Sequence, residues 1–140
     1  MNETIEQVSS VRRFAESPLK DTRVVDEIEI GQWVRQGDVY LTRIAAPSEW
    51  KETKNRQLAI GTTIGSRHTV DGSVTVLANP ENGRVVRSNI RGRAKCFGPQ
   101  VLSPDRFTVE HPEHADISLP GGCYQVQFQV DPASMQRVQD

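Results

Sequence analysis

The chain has 140 residues, a formal net charge of −1 and a hydrophobic fraction of 36%, values that are typical of one globular domain. This balance by itself indicates no nucleic acid, membrane or acidic substrate as a partner. No run of about 18 apolar residues occurs and charges interrupt the N-terminal segment, so we expect neither a transmembrane helix nor a secretory signal. The expected location is therefore cytoplasmic, and in a reducing cytosol Cys96 and Cys123 are expected to be free thiols.

The first residues of the chain carry an apolar side chain at every third position, which is the spacing of one face of a short helix. These residues are Ile5, Val8, Val11 and Phe14. A lone helix of this length is marginal in water, so an arm is the alternative. We expect residues 1–22 to form this helix or arm, residues 23–132 to form a single β domain, and residues 133–140 to form a tail.

Further along the chain the pattern changes to short segments of β-branched and aromatic residues, separated by turn signals. Residues 39–44 form the first clear predicted strand, and the turn that precedes it contains Gly37. A second strand is predicted at residues 57–64, where glycines interrupt the pattern and indicate a bulge or a close backbone approach.

Two later segments favour a β fold further. Asp71-Gly72 is a hairpin-turn signal between strands predicted at 69–70 and 73–78. The last strand is the clearest, because residues 124–130 alternate between apolar side chains and three glutamines. Tyr124, Val126, Phe128 and Val130 are expected to face one way and the glutamines the other. Short strands separated by glycine and proline turns predict a mostly β fold, either a small antiparallel sandwich or a barrel.

Two segments of the sequence stand out as motifs: Arg35-Gln36-Gly37-Asp38-Val39, and residues 110–126 with the sequence EHPEHADISLPGGCYQV. Together they resemble a family of small uncharacterised bacterial and phage-associated proteins. Members of that family also carry a central Gly-His-x-His segment, whereas this chain has Gly65-Ser66-Arg67-His68, with one histidine. The resemblance spans residues 35–132. It implies a compact β domain and carries no established activity.

The three histidines of the chain form one candidate site: His68, His111 and His114. Neutral imidazole is a ligand for zinc, nickel or iron, and three such ligands leave an open coordination position of the catalytic kind. Glu113 is the candidate general base. The alternative, which we favour, is that residues 111–114 form an exposed polar turn that binds no metal. No cofactor can be assigned from the sequence.

A second candidate site is the segment 84–95, which is basic and contains no acidic residue. Its cationic residues are Arg84, Arg87, Arg91, Arg93 and Lys95. Cationic side chains gathered in one patch neutralise phosphates, so the segment predicts nucleic-acid or anion binding. Only Phe97 is aromatic and close in sequence, which argues against a stacking platform for single strands. The alternative, which we favour, is a solvated face or one that pairs with the acidic C-terminal half.

No catalytic motif is complete, because the chain lacks a phosphate-binding glycine loop, a dinucleotide fingerprint and a nucleophile elbow. We therefore favour a non-catalytic binding or assembly domain in a phage or mobile-element setting. We expect it to form a homo-oligomer or to bind a protein partner, and we expect no membrane association. The alternatives are a metal-binding protein or metal-dependent enzyme that uses the histidines, and a nucleic-acid binder that uses the basic segment. Trp50, in a polar loop, is the aromatic residue best suited to a contact surface.

Overall fold

The computed structural model describes residues 10–14, 22–87, 94–131 and 133–138, and these residues are built mainly from β-strands. In this part of the chain one short 3₁₀ helix occurs, at Ile64–Ser66, and no helix has the length and apolar character needed to span a bilayer. The strands are, in chain order, β1 (Ser10–Phe14), β2 (Thr22–Glu27), β3 (Trp33–Gln36), β4 (Val39–Ile44), β5 (Glu52–Thr53), β6 (Thr69–Asp71), β7 (Thr75–Leu77), β8 (Val85–Arg87), β9 (Ala94–Ser103), β10 (Phe107–Glu110), β11 (Asp116–Leu119), β12 (Gly122–Phe128), β13 (Val130–Asp131) and β14 (Gln136–Arg137).

These strands form two main sheets. One sheet has five strands in the order β1-β2-β11-β10-β6, and the other has seven, in the order β3-β4-β12-β9-β7-β5, with β8 beside β9. Strands β13 and β14 form a separate two-stranded ribbon. The pairings are antiparallel except for that of β2 with β11, which is parallel. The fold is therefore a mostly antiparallel sandwich, and the described strands close no barrel, which confirms the predicted fold class in its sandwich form.

The core lies between the two sheets and takes side chains from both. Ile117 of the five-stranded sheet and Leu41 of the seven-stranded sheet are completely buried. The rings of Phe107 and Tyr124 meet edge to face across the core, with centroids 5.4 Å apart. Since a buried aliphatic or aromatic side chain contributes roughly 1.5–3 kcal/mol, the interface between the sheets is the main source of stability.

The alternation predicted for the last strand is confirmed over residues 124–128, whereas Val130, predicted on the same face, belongs to the separate strand β13. Tyr124, Val126 and Phe128 of β12 are buried, whereas Gln125 and Gln127 lie partly exposed on the other face. Strand β12 lies between β4 and β9 in the middle of its sheet. With one face on the core and the other open, the alternation of the sequence matches the alternation of the strand.

The helix predicted near the N-terminus is wrong where the structure describes that segment. Ser10–Phe14 form β1, which pairs with β2 in antiparallel register. The physical reason is tertiary: a short helix is marginal by itself, whereas the edge of β2 offers a row of backbone hydrogen-bonding groups to an added strand. Residues 1–9 and 15–21 lie outside the described residues.

The strand predicted at residues 57–64 is also wrong, because this segment is a loop. Leu58 is buried but Ile60 and Ile64 are exposed, so the segment has no continuous buried face. Its contact with a sheet is an isolated bridge from Gln57 to the start of β6, and it ends in the 3₁₀ helix.

The turn predicted at Asp71-Gly72 is present, but the predicted hairpin is wrong, because the chain crosses from one sheet to the other at this turn. Strand β6 pairs with β10 in the five-stranded sheet, whereas β7 pairs with β9 in the seven-stranded sheet. Gly72 adopts a φ of +123°, which an L side chain rarely adopts, so glycine serves the turn as predicted although the turn joins different sheets. The Asp71-Gly72 dipeptide therefore predicts the position of a turn, but it does not predict which strand β7 pairs with.

The two cysteines are free and buried, which confirms the prediction of free thiols. In the pairing of β9 with β12, Cys96 lies opposite Phe128 and Cys123 lies opposite Leu102. At about 3.4 Å per residue the two cysteines are separated by roughly 17 Å along the strands. Disulfides require a Cα separation of at most about 7 Å, so this register excludes a bridge.

Candidate functional site

The outer face of the seven-stranded sheet carries aromatic and amide side chains. Two clefts open on it. The first, here called the Trp33 cleft, has a volume of ≈ 250 Å³ and is lined by Trp33, Tyr40, Thr42 and Gln127. The second, here called the Trp50 cleft, has a volume of ≈ 260 Å³ and is lined by Ser48, Trp50, Asn79, Glu81, Arg84, Val86, Phe97, Gln100 and Gln125.

Trp50 reaches its cleft from the loop before β5, and this loop is fastened to the sheet on both sides of the indole. The backbone N–H of Ser48 donates to Gln100 Oε1 at 2.7 Å, and Gln100 Nε2 donates to Ser48 Oγ at 3.0 Å. On the other side, Ala78 N–H donates to the carbonyl of Lys51 at 2.8 Å. The loop that carries the partly buried Trp50 is therefore held in place before any ligand arrives, which reduces the entropy lost on binding.

Phe97 of β9 and Val86 of β8 supply the remaining apolar lining of the Trp50 cleft. The carbonyl of Phe97 accepts hydrogen bonds from Gly83 N–H at 3.1 Å and from Asn79 Nδ2 at 3.4 Å, which fix the turn before β8 against β9. The side chain of Val86 is 47% exposed. A cleft that presents aromatic rings and an exposed aliphatic side chain has the character of a binding surface.

The amides of the Trp50 cleft use their donors within the protein. Gln100 Nε2 donates to Ser48 Oγ and to Gln125 Oε1, the latter at 2.9 Å. Gln125 Nε2 in turn donates to the carbonyls of Gly98 at 2.9 Å and Val126 at 2.7 Å. An amide has two N–H groups, so neither glutamine has a donor left for a ligand. The floor of the cleft around these glutamines therefore offers a ligand ring faces and apolar surface.

Two charged side chains, Glu81 and Arg84, line the Trp50 cleft, and Lys95 lies on the same face of the neighbouring strand pair. Arg84 forms an exposed ion pair with Glu81. Lys95 is the register partner of Val86, so it leaves the hairpin on the face that lines the cleft, whereas Arg87 leaves on the opposite face. The structure thus separates Arg84 and Lys95 from Arg87 within the predicted basic site. The other two predicted members, Arg91 and Arg93, lie outside the described residues.

The three histidines of the other predicted site are brought together by the pairing of β6 with β10. His68 precedes β6 and His111 follows β10, and these strands are antiparallel neighbours. The ring centroids of His68 and His111 are 4.4 Å apart, and those of His111 and His114 are 4.5 Å apart. His68 and His111 are almost fully buried, so the expectation of an exposed polar turn fails at His111.

His68 is held between two acceptors that come from the seven-stranded sheet. Its Nδ1 lies 2.8 Å from Gln36 Oε1, and its Nε2 lies 3.3 Å from Asp38 Oδ1. Gln36 Nε2 donates to the carbonyls of Val109 at 3.1 Å and Ala115 at 2.8 Å, which fixes the orientation of the amide. Both ring nitrogens therefore lie within hydrogen-bond distance of a protein oxygen, and His68, Gln36 and Asp38 form one buried polar cluster.

His111 has the opposite pattern. Its Nδ1 accepts hydrogen bonds from the backbone N–H groups of Glu113 at 3.0 Å and His114 at 3.2 Å, and its Nε2 lies 3.1 Å from the carbonyl of Gly65. These contacts fit the neutral ring with the proton on Nε2. Burial lowers the pKa of His111, with smaller lowering contributions from the charges of His68 and His114.

The contacts of the two buried histidines bear on the predicted metal site. Each ring nitrogen of His68 and His111 faces a protein atom, so a metal ion would have to displace those contacts. Across the part of the chain that the structure describes, no group of three or more His, Cys, Asp or Glu side chains is arranged to hold a metal ion. Metal binding by His68, His111 and His114 stays a prediction.

Two features of these sites were missed in the sequence. Gln36 and Asp38 belong to the Gln-Gly-Asp-Val turn that carries the family resemblance, yet nothing local in the sequence connects them with His68. Trp50 stands out in the sequence as a contact residue, but its place beside Phe97 depends on the loop contacts of Ser48. The surroundings of His68 and the position of the Trp50 loop both depend on hydrogen bonds between segments that are far apart in the sequence.

The fold and the sites define a small β-sandwich with an aromatic cleft on one outer face and a buried polar cluster between its sheets. Residues 35–129 match the family described as Domain of unknown function (DUF8820), and the chain belongs to this family. The matched region begins at Arg35 and ends at Gln129, and Arg35 Nη2 donates to Gln129 Oε1 at 2.9 Å. No curated protein and no solved structure matches the sequence significantly.

Proposed function

We propose that this protein is a non-catalytic binding module that receives its ligand in the Trp50 cleft. The observation that carries the proposal is the fastening of the loop that carries Trp50, which is hydrogen-bonded to the sheet through Ser48 and Lys51. Together with Phe97 and the exposed Val86, the indole supplies the apolar lining of this cleft. Preformed recesses of this kind are the usual sites of ligand binding.

The buried histidines support a binding role over a catalytic one. General acid or base catalysis needs a side chain that reaches the substrate with an available nitrogen or oxygen. His68 and His111 are almost fully buried, and each of their ring nitrogens faces a protein atom. Their contacts connect strands of the two sheets, so we assign them a role in holding the sandwich together.

The two tryptophans of the chain provide the test, because one lies in each cleft. Indole N–H signals are followed by NMR while three probes are added separately: thymidine monophosphate, N-acetyltyrosine amide and cellobiose. We expect at least one probe to shift the Trp50 signal and to leave the Trp33 signal in place. Trp50→Leu should abolish the shift and the matched variant Trp33→Leu should retain it. If all three probes leave the Trp50 signal unmoved, the proposal is wrong.

Self-association and a phage setting stay predictions from the sequence. The described edge strands are β3 and β5 in the seven-stranded sheet and β1 and β6 in the five-stranded sheet, and edge strands are the usual sites of strand addition between copies. Size-exclusion chromatography with light scattering tests self-association directly, since a strict monomer at all concentrations would contradict it.

A further inference from the structure

We infer that the ligand of the Trp50 cleft is single-stranded nucleic acid, with a base stacked on Trp50 and Phe97 and its phosphates near Arg84 and Lys95. The inference deepens the proposed function and rests on it. Aromatic faces beside cationic side chains are the combination by which proteins hold single strands, because every base has a π face and every linkage has a charge.

The structure supplies the aromatic partner that the basic segment lacks in sequence. Phe97 is the one ring near that segment in the chain, but the loop before β5 places Trp50 in the same cleft. The cleft volume of ≈ 260 Å³ lies just below the roughly 300 Å³ at which pockets for drug-sized ligands begin, so it suits a single ring system.

The charges next to the cleft favour an anionic ligand. Lys95 is exposed and leaves the hairpin on the cleft side, as the register partner of Val86. Arg84 is paired with Glu81, but both side chains are well exposed, and an exposed pair of this kind contributes little and can exchange Glu81 for a phosphate. The apolar surface of the cleft and the cations beside it thus match the two parts of a nucleotide.

The two glutamines of the cleft offer no free donor to a sugar ligand. Sugar hydroxyls need donors and acceptors that are free, whereas Gln100 and Gln125 donate all of their amide hydrogens to protein atoms. A base can bind by stacking without these donors. Duplexes are also disfavoured, because their bases are already stacked inside the helix and cannot enter a recess.

The test measures fluorescence anisotropy with a fluorescein-labelled oligothymidylate of about 12 nucleotides. An abasic oligomer of equal length and charge and a duplex of the same length serve as comparison ligands. We expect the oligothymidylate to bind roughly tenfold or more tightly than the abasic strand and the duplex, since stacking of a single base has about this effect. Equal binding of the three ligands would overturn the inference.

Variants separate stacking from charge. Trp50→Leu and Phe97→Leu should each remove most of the preference for the strand with bases, and Trp33→Leu should preserve it. Lys95→Gln should lower the slope of log K against log salt by about 0.7, which is the value for one phosphate contact on a single strand. Arg87→Gln, on the opposite face, is the charge-matched control and should change the slope less. Thermal unfolding confirms that each variant is folded.

The outcome also distinguishes this inference from the function on which it rests. If N-acetyltyrosine amide shifts the Trp50 indole signal while the oligothymidylate does not bind, the ligand is a peptide side chain, and the nucleic-acid inference falls while the binding module stands. If neither the small probes nor the oligonucleotide affects Trp50, both proposals fall together. Preferential, salt-sensitive binding of the oligothymidylate that Trp50→Leu abolishes supports both.

Discussion

The imidazole Nε2 of His68 lies 3.3 Å from Asp38 Oδ1, and both side chains are almost fully buried. Asp38 belongs to the turn between β3 and β4 of the seven-stranded sheet, whereas His68 directly precedes β6 of the five-stranded sheet. The pair therefore connects the two layers of the sandwich. Gln36 completes the arrangement from the other side of the imidazole, at 2.8 Å from Nδ1.

Removal of the Asp38 carboxylate should destabilise the protein strongly. Asp38→Ala leaves Nε2 of the buried His68 without its partner, and an unsatisfied buried polar group costs up to about 3 kcal/mol. Asp38→Asn keeps an acceptor oxygen near Nε2, so we expect a smaller loss of about 1 kcal/mol. Urea unfolding followed by circular dichroism measures both values.

A carboxylate outside the cluster provides the control for this measurement. Asp71 lies on β6, close to His68 in the chain, but its side chain is exposed. Asp71→Ala should change the free energy of unfolding by no more than about 0.5 kcal/mol. If Asp38→Ala and Asp71→Ala have equal effects, His68 and Asp38 do not form a stabilising pair.

The stability of the protein should fall as the pH falls through the range of ordinary histidines. Burial lowers the pKa of His111 below its ordinary value of 6.5, so below that pH the unfolded state binds a proton that the folded state does not. The unfolded state is then favoured, with a slope of up to about 1.4 kcal/mol per pH unit for this one group. Above the ordinary pKa both states are neutral at this position and the effect vanishes.

Comparison with His111→Asn isolates this contribution. The asparagine oxygen can still accept from the backbone N–H groups of Glu113 and His114, but the side chain does not titrate. We expect the variant to be less stable at neutral pH, because the contact with Gly65 is lost, and to show a shallower pH dependence between about pH 5 and 7. An unchanged slope in the variant would assign the pH dependence to other groups.

The thiols should react slowly in the folded protein. Burial raises the pKa of Cys96, with a smaller opposing effect from the charge of Arg137, and burial also raises the pKa of Cys123. Since the thiolate is the reactive form, neither cysteine should react readily with Ellman's reagent at neutral pH, and both should react after unfolding in guanidinium. Cys123 is 8% exposed and Cys96 is not exposed, so Cys123 should react first. The Cys96→Ser variant assigns the faster phase, and rapid reaction of Cys96 would indicate local opening of β9.

The parts of the fold that could be predicted from the sequence are those set by local physics. The alternation in β12 follows from the geometry of one strand with one buried face, and the turn at Gly37 follows from a residue that tolerates its φ of +58°. The N-terminal segment could not be predicted in this way, because the edge of β2 decides its conformation.

The candidate sites depend on partners that no local pattern specifies. The sequence groups His68, His111 and His114 as one candidate site, but the oxygen atoms that hold His68 come from Gln36 and Asp38 in another sheet. Likewise Trp50 was recognisable as a contact residue, whereas its place beside Phe97 follows from hydrogen bonds between a loop and a distant strand. In both cases the residue types were visible in the sequence and their association was not.

Gly98 should be intolerant of a side chain, and the contact responsible can be identified. A Cβ atom at Gly98 would lie 2.7 Å from Phe128 Cζ and 3.2 Å from Val126 Cγ1, both in the packed core. Gly98→Ala therefore overpacks the interface between β9 and β12, and we expect a loss of about 1–3 kcal/mol in the free energy of unfolding. Gly98 also carries a carbonyl that accepts from Gln125, so the displacement should reach the floor of the Trp50 cleft.

A double-mutant cycle tests whether the stability lost in Gly98→Ala comes from the clash with the Phe128 ring. Phe128→Leu removes the atoms that the new methyl group would meet, at its own cost in buried surface. If the contact with Phe128 causes the damage, Gly98→Ala should cost less by about 0.5–3 kcal/mol in the Phe128→Leu background than in the wild type. Additive losses in the double variant would mean that the methyl group acts elsewhere, through the backbone of β9 or through Val126.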